Sequence, residues 1–354
     1  MLSNRCHGFI ERGGRAATLL LSVLLAGVAV SGSACAQDRS PAEPALPTSK
    51  PVERGDAPDL NAPPRVNPDR AREVAPGLTI IDDPRIAFVP NIGIIEGTKA
   101  VLVVDTGLGP ENGRRVLSLA KEIAGDRMLY LTTTHFHPEH HFGASVFKGQ
   151  ATLILNEAQA RELAEKGLPY LELFKTFGPQ VADALEGTQF AEADRLYTGA
   201  MTLDLGGREI ILREMPAHTR GDQMVYVPDL GALFTGDIAE TRFFPIMPDA
   251  DSSAERWIEV LRQLEGLKPE IVIPGHGAVA DSTVLTRLRL HIEFMRDRVQ
   301  ELVTAGYEQQ EITARLTPAI IALYPSWDNQ VFIPFEIGIL YGEAVGQPPR
   351  LPEF

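Results

Sequence analysis

From residue 78 onward the chain alternates between short β-rich apolar runs and stretches of helical period, and this rhythm predicts its elements. IAFVPNIGII and AVLVVDTG read as strands that end in a turn at Gly107. A helix is predicted over about residues 111–124, and MLYLTTT follows as a buried strand. After ATLIL a helical block runs to about residue 186. Strands return in TLDLG, REIILREM, QMVYVPD and GALFTGD, a helix covers about residues 253–267, and EIVIPGHG is again a strand. Beyond it Val284, Leu288, Ile292, Met295, Val299 and Leu302 form a helical-period stripe behind a cap at Asp281 or Ser282. Strand-rich halves flanked by helices predict two sheets packed face to face with helices outside.

The N-terminus follows another pattern. Arg5, Arg12 and Arg15 precede the uncharged run AATLLLSVLLAGVAV, which gives way to the small residues of SGSACAQ. A basic start, an apolar centre and a small-residue exit make a secretory signal over residues 1–36, with cleavage after Ala34-Cys35-Ala36 and before Gln37. The strongly apolar part is about 15 residues long, shorter than the roughly 20 a membrane helix needs. The expected location is therefore the periplasm, without stable membrane insertion. Gly-Ser-Ala-Cys is a poor version of the lipoprotein signal, so a lipid anchor on Cys35 is the alternative. Residues 37–76, Pro-rich and polar, read as a tether that cannot bury enough surface to order itself. The remainder divides into a main domain over residues 77–280 and a helical extension, 281–354, packed on the same domain.

Charge and cysteines narrow the function. The net charge is −14, and it becomes −16 once a leader with three Arg and one Glu is removed. A nucleic-acid backbone is excluded as a partner; a small-molecule substrate is expected. Cleavage before Gln37 takes both cysteines, Cys6 and Cys35, with it. The mature chain then has no thiol nucleophile or disulfide, and any metal site must use nitrogen and oxygen ligands. There is no G-x-S-x-G elbow either.

The chemistry is concentrated in THFHPEHHFG, residues 134–143, which holds four of the eight histidines. It begins where the strand MLYLTTT ends, on a loop of the kind on which rigid scaffolds display function. His135 and His137 are two apart, so on an extended segment both rings point the same way. Glu139 and His140 follow at the turn into a helix and can face a neighbouring point. Completion must come from elsewhere, and His218 in PAHTRGD, Asp237 in FTGD and His276 in PGHG each stand in a loop at a strand end. By contrast His291, on the apolar side of its helix, reads as a satisfied core residue.

NIGIIEG-x-x-AVLVVDTG, the HxHxEH block, AHTRGD, FTGD and PGHG, in that order over residues 78–280, resemble the metallo-β-lactamase superfamily. The resemblance implies an αββα sandwich of two mixed β-sheets with helices on both outer faces, α+β in class, and two zinc ions at the sheet edges. Site one would be His135, His137 and His218; site two would be Glu139, His140 and His276, with Asp237 bridging both. Asp105 would orient the metal loop without ligating, and His141 would lie on the surface or pack behind the loop. The family usually carries Asp where this chain has Glu139. The extra methylene displaces the carboxylate by about 1.5 Å, so a loosely held second ion is expected, tightened by Glu139→Asp.

Two zinc ions can share a water, lower its pKa and aim the hydroxide at a carbonyl, with Asp237 fixing the geometry and shuttling a proton. Asp237 and Glu139 are thus the expected catalytic carboxylates of a zinc-dependent hydrolase acting on an ester, lactone, thioester or β-lactam-like amide. Asp at position 237, where lactamases of the superfamily carry Cys or Ser, is more like the thioesterase, lactonase and phosphodiesterase branches, whereas the exported tail resembles the periplasmic lactamase-like branch. Two other readings stand: a mononuclear iron oxygenase of the same fold, in which two histidines and Asp237 make a facial triad, or a metal-binding accessory protein with little turnover. GLPYLELFKTF, residues 167–177, reads more readily as a core-packed helix than as an apolar lid, and YPSWDNQVFIPFEIGILYGE suits either packing or a cleft wall.

Overall fold

Alternation along the strands sorts their side chains between a central core and two outer helical layers. In the computed structural model, which describes Asp59 and residues 61–352, the first sheet runs in the order β1 (Ala71–Ala75), β2 (Leu78–Ile81), β3 (Ile92–Glu96), β4 (Ala100–Val104), β5 (Met128–Thr132), β6 (Thr152–Asn156), β7 (Arg195–Tyr197). Its first four strands are antiparallel neighbours and its last four run parallel. The second sheet holds β8 (Ala200–Asp204), β9 (Glu209–Glu214), β10 (Gln223–Val227), β11 (Ala232–Gly236) and β12 (Ile271–Pro274), with only the β11–β12 pair parallel.

On β4 every residue is buried, as a strand covered on both faces requires. Leu102 and Val104 join Leu212, Val225 and Phe234 of the second sheet in the central core. Val101 and Val103 point the other way, to Val116 and Ala120 of helix α1 (Gly109–Ala124). The sheets meet closely: a Cβ on Gly93 would lie 2.3 Å from the Phe234 ring. Three helices follow on the first half: α2 (Pro138–His141), α3 (Glu157–Lys175) and α4 (Pro179–Ala184). The outer face of the second sheet is covered by α5 (Ala254–Gly266), α6 (Thr283–Thr304), α7 (Gln309–Leu323) and α8 (Ile333–Val345), packed against Met224, Leu233 and Val272. The protein is thus an αββα sandwich of two mixed sheets.

Three local expectations need correction. IAFVPNIGII is not one strand: β3 starts at Ile92, and the segment before it is a loop in which Arg85 (φ 64°) and Phe88 (φ 62°) take left-handed conformations. The tether ends sooner than residue 76. Val66 is buried with its N–H on Asn112 Oδ1 at 2.9 Å, and β1 pairs with β2, so one apolar residue and one edge ladder suffice to order residues 61–76. On α6 the stripe is buried from Val284 to Val299, but Leu302 is only half-buried; Asp281 Oδ1 accepts the Thr283 N–H at 2.9 Å and caps the helix. The leader, Cys35 and the first part of the tether lie outside the described residues.

Candidate metal centre

Each predicted ligand leaves the scaffold where a strand stops. His135 and His137 follow β5, His140 lies on α2, His218 stands in the β9–β10 loop, and Asp237 and His276 follow β11 and β12. All of these strand ends open on one edge of the sandwich, so residues up to about 140 positions apart in sequence converge (His135 and His276). The structure gathers them into two groups, His135–His137–His218–Asp237 and Glu139–His140–Asp237–His276, with the potential ligand atoms of each group within 4.8 Å of one another.

Asp237 joins the groups through separate oxygens. Its Oδ2 is 3.8 Å from both His135 Nε2 and His218 Nε2. Its Oδ1 is 3.3 Å from His140 Nε2 and 4.0 Å from His276 Nε2. A side chain on residue 275 would destroy this arrangement, because a Cβ there would lie 1.9 Å from Asp237 Oδ1. The opposite ring nitrogens are engaged by the protein. His140 Nδ1 donates to Asp105 Oδ2 at 2.9 Å, and His218 Nδ1 donates to the Ile246 carbonyl at 2.7 Å. His140 Nε2 therefore presents a bare lone pair inward, while the lone pair on His218 Nε2 faces His137 Nδ1 at 2.9 Å. Asp105 also accepts the Thr134 N–H at 2.7 Å and the Thr134 hydroxyl at 3.0 Å, so it orients the loop as its sequence position implied.

Burial holds the His135 and His137 pKa values well below the usual imidazole range, with neighbouring imidazoles adding to the effect. Burial pushes Glu139 up. It acts on Asp237 in the same sense, but His140, His276 and His135 around that carboxylate outweigh it and hold Asp237 well below the carboxylate range. His135 Nε2, His137 Nε2, His140 Nε2, Glu139 Oε2 and Asp237 Oδ1 are buried with no hydrogen-bond partner. One such orphan costs about 1–3 kcal/mol. Five that converge on two points are the signature of cations that complete them, so these residues fit a metal pair. Glu139 shows no shortfall of reach, since its carboxylate already lies among the second group. The fixed backbone of α2, with Thr106 N–H and Oγ1 both on the His140 carbonyl, sets that position rather than side-chain length alone.

The centre floors a cleft of about 340 Å³. One wall is the segment expected to be mere core packing: Tyr170, Leu173, Phe174 and Phe177 line the cleft, while Leu171 is buried beneath. Asn329, Val331 and Phe332 of the C-terminal extension form the opposite wall. His141 is not a surface residue. It is buried against Thr133 Oγ1 at 2.9 Å, and burial lowers its pKa to about 4. His291 is the core residue expected, fully buried with Nε2 on Glu336 at 3.1 Å.

Sequence reasoning missed several contributors. Asn91 donates to the carbonyls of Pro274 and Gly277 and so pins the His276 loop, while Asp83 Oδ2 accepts the Gly277 N–H. The paired acids of IDDP, followed by proline, were the available turn signal. Glu240, buried with an unpartnered Oε1, has its pKa pushed well up by burial and by nearby Asp237. Asp222 receives the backbone N–H groups of Ala217 and Thr219 and so shapes the His218 loop; burial raises its pKa to about 6. A third acidic cluster, Glu162–Asp249–Asp251, is no further cation site, because the Lys166 ammonium sits within 3.2 Å of all three carboxylates.

Residues 85–276 match the metallo-beta-lactamase superfamily. The linear primary-alkylsulfatase of Pseudomonas sp. (strain ATCC 19151) is 20% identical over 258 residues, 63% of this chain and 49% of its own, so the chain spans about half the length of that relative. The acyl-coenzyme A thioesterase MBLAC2 of Homo sapiens is 29% identical over 219 residues, 56% of this chain and 76% of its own. The sec-alkylsulfatase Pisa1 from Pseudomonas sp. shares the fold with a TM-score of 0.61 at 17% identity, over 78% of this chain and 50% of that one. The family match takes in more than half of the sequence and all seven candidate ligands, and with them the chain belongs to the metallo-beta-lactamase superfamily.

Proposed function

We propose that the protein is an exported dizinc hydrolase that cleaves the acyl–heteroatom bond of an ester, lactone, thioester or β-lactam-like amide. The observation that carries this reading is Asp237, whose two oxygens face two separate groups of imidazole nitrogens. Nitrogen and carboxylate donors in threes and fours suit zinc. In this reading His135, His137 and His218 would hold one ion and Glu139, His140 and His276 the other, with Asp237 available to both groups. When bound, such ions supply Lewis acidity toward a carbonyl and activate water at neutral pH. The protein's own residues do the rest. Asp105 and the Ile246 carbonyl keep protons on the outward nitrogens of His140 and His218. Asp237 fixes the spacing between the groups, and the aromatic walls exclude bulk water from the floor of the cleft. The similar acyl-coenzyme A thioesterase bears a name that supports the thioester member of this class.

The test is metal analysis of the purified protein with a panel of ester, lactone, thioester and β-lactam substrates. Two zinc ions per chain, with turnover removed by a chelator and restored by zinc, are expected. Iron together with dioxygen uptake would replace hydrolysis by oxygenation; metal without turnover of any substrate would leave an accessory role.

A further inference from the structure

The walls of the cleft have a chemistry of their own. Tyr170 stacks on His137 with ring centroids 4.9 Å apart and planes 20° from parallel. Phe174 continues the line at 6.1 Å from Tyr170. Beyond it, Phe88 and Phe177 lie parallel at 5.7 Å, each within 5.3 Å of Phe174. An aromatic track thus leads from a residue of the first ligand group to the mouth of the cleft. The mouth is apolar too, with Phe177 40% and Val331 68% exposed on its rim.

Charge is distributed to match. Among the described residues no lysine or arginine lines the cleft, whereas Asp83, Glu139 and Asp237 do. The nearby Arg72, Arg85 and Arg242 line a different hollow beyond Asp83, and carboxylates of Asp82 and Asp328 face them. Above the metal ligands, an anionic group on a substrate would meet no cationic side chain on the described walls of the cleft, the Arg85 guanidinium being taken up on Phe243 and Asp328, and would leave water to do so. An apolar group would gain from burial, by about fourfold in affinity per methylene. At about 340 Å³ the cleft is at the small end of the range of small-molecule sites.

We propose that the track is an acyl-chain subsite, and that the substrate is a neutral ester with an apolar acyl group of medium length. The inference rests on the hydrolase reading above and narrows its substrate class. The carbonyl lies at the His137 end and the chain runs past Phe174 toward Phe177 and Val331. In the reaction the acyl–oxygen bond breaks, water supplies hydroxyl to the acyl carbon and a proton to the leaving alcohol, and no oxidant or reductant is needed.

Two measurements on the full zinc-loaded chain test this. In the first, kcat/KM for p-nitrophenyl acetate, butyrate, hexanoate and octanoate should rise by about fourfold per methylene at most. Val331→Asp, a change at an exposed position, and Phe177→Asp should each cut the octanoate-to-acetate ratio by about tenfold. In the second, calorimetry with hexan-2-one, octan-2-one and decan-2-one, which cannot be hydrolysed, should show binding that tightens with length and a negative heat-capacity change. A flat chain-length profile in both measurements would overturn the subsite and leave the hydrolase reading intact. Ketone binding that tightens with length, without turnover of any ester, would do the reverse. Octyl sulfate turned over faster than the octanoate ester would overturn the choice of a neutral substrate.

Discussion

Replacing Asp105 by asparagine tests how the metal loop is held. Asp105 stands one residue beyond β4, buried and in a left-handed conformation at φ 69°. One oxygen accepts the Thr134 N–H, and the other accepts both the Thr134 hydroxyl and His140 Nδ1–H at 2.9 Å. With its proton on Nδ1, His140 keeps a lone pair on Nε2, 3.3 Å from Asp237 Oδ1. Asparagine has nearly the same shape and can still accept from the Thr134 N–H, but its NH₂ then faces two donors. The conflict is relieved if the His140 proton moves to Nε2 or if the ring turns, and either change takes a ligand from the second group. Loss of such a supporting partner costs about 10- to 100-fold in metal affinity, or about 1.4–2.7 kcal/mol. We expect that loss at the second ion, and a smaller one at the first, because neither His137 nor His218 bonds to Asp105. Zinc titration against a chromophoric chelator resolves the two affinities, and circular dichroism verifies the fold. Unchanged affinities would refute the reasoning. Equal losses from both sites would make Asp105 a general prop of the loop instead of a lock on one tautomer.

Glu139→Asp should weaken the second ion about tenfold or more, contrary to what side-chain length alone suggests, because it withdraws by ~1.5 Å a carboxylate already in place; the same titration checks it, and a tighter second site would show that the loop has slack. Glu336→Leu leaves fully buried His291 Nε2 without its hydrogen-bond partner and should cost about 1–3 kcal/mol, a fall in Tm of about 2–6 °C. A melting point within a degree of the parent would mean that His291 is satisfied otherwise. N-terminal sequencing of the exported protein should begin at Gln37, and an intact Met1 in the soluble cytoplasm would end that expectation.

The ligands were legible in the sequence because each is announced locally. Every one stands within two residues of a glycine, proline or second histidine near the end of a strand run, where strand period gives out. The central core was legible for the same reason, since β4 is an uninterrupted apolar run and β11 opens on Ala-Leu-Phe. What supports the ligands was not. Asn91 reaches partners 183 and 186 residues away, and no local pattern distinguishes it from any turn asparagine. Phe88 was read into a strand because its neighbours are β-formers, yet a left-handed backbone turns it to the cleft. Tyr170 and Phe174 look like core residues in a helical stripe. The face of Tyr170 toward His137, with Phe174 next to it, exists only once α3 has docked.

That docking ties the wall of the cleft to the metal ligands. Lys166 of α3 is held by Asp249 at 2.7 Å and by Asp251 at 3.2 Å, and the Tyr170 hydroxyl donates to Asp249 at 2.9 Å. The same loop carries Ile246, whose carbonyl fixes the His218 proton on Nδ1. One segment between β11 and α5 therefore anchors the aromatic wall by charge and sets a ligand's tautomer through its backbone. Since Tyr170 also stacks on His137, a shift of α3 would reach both histidines, one by ring contact and one through the loop. The chain-length selectivity of the cleft and the geometry of its floor are in this sense a single mechanical unit, and a substitution that loosens Asp249 should disturb them together.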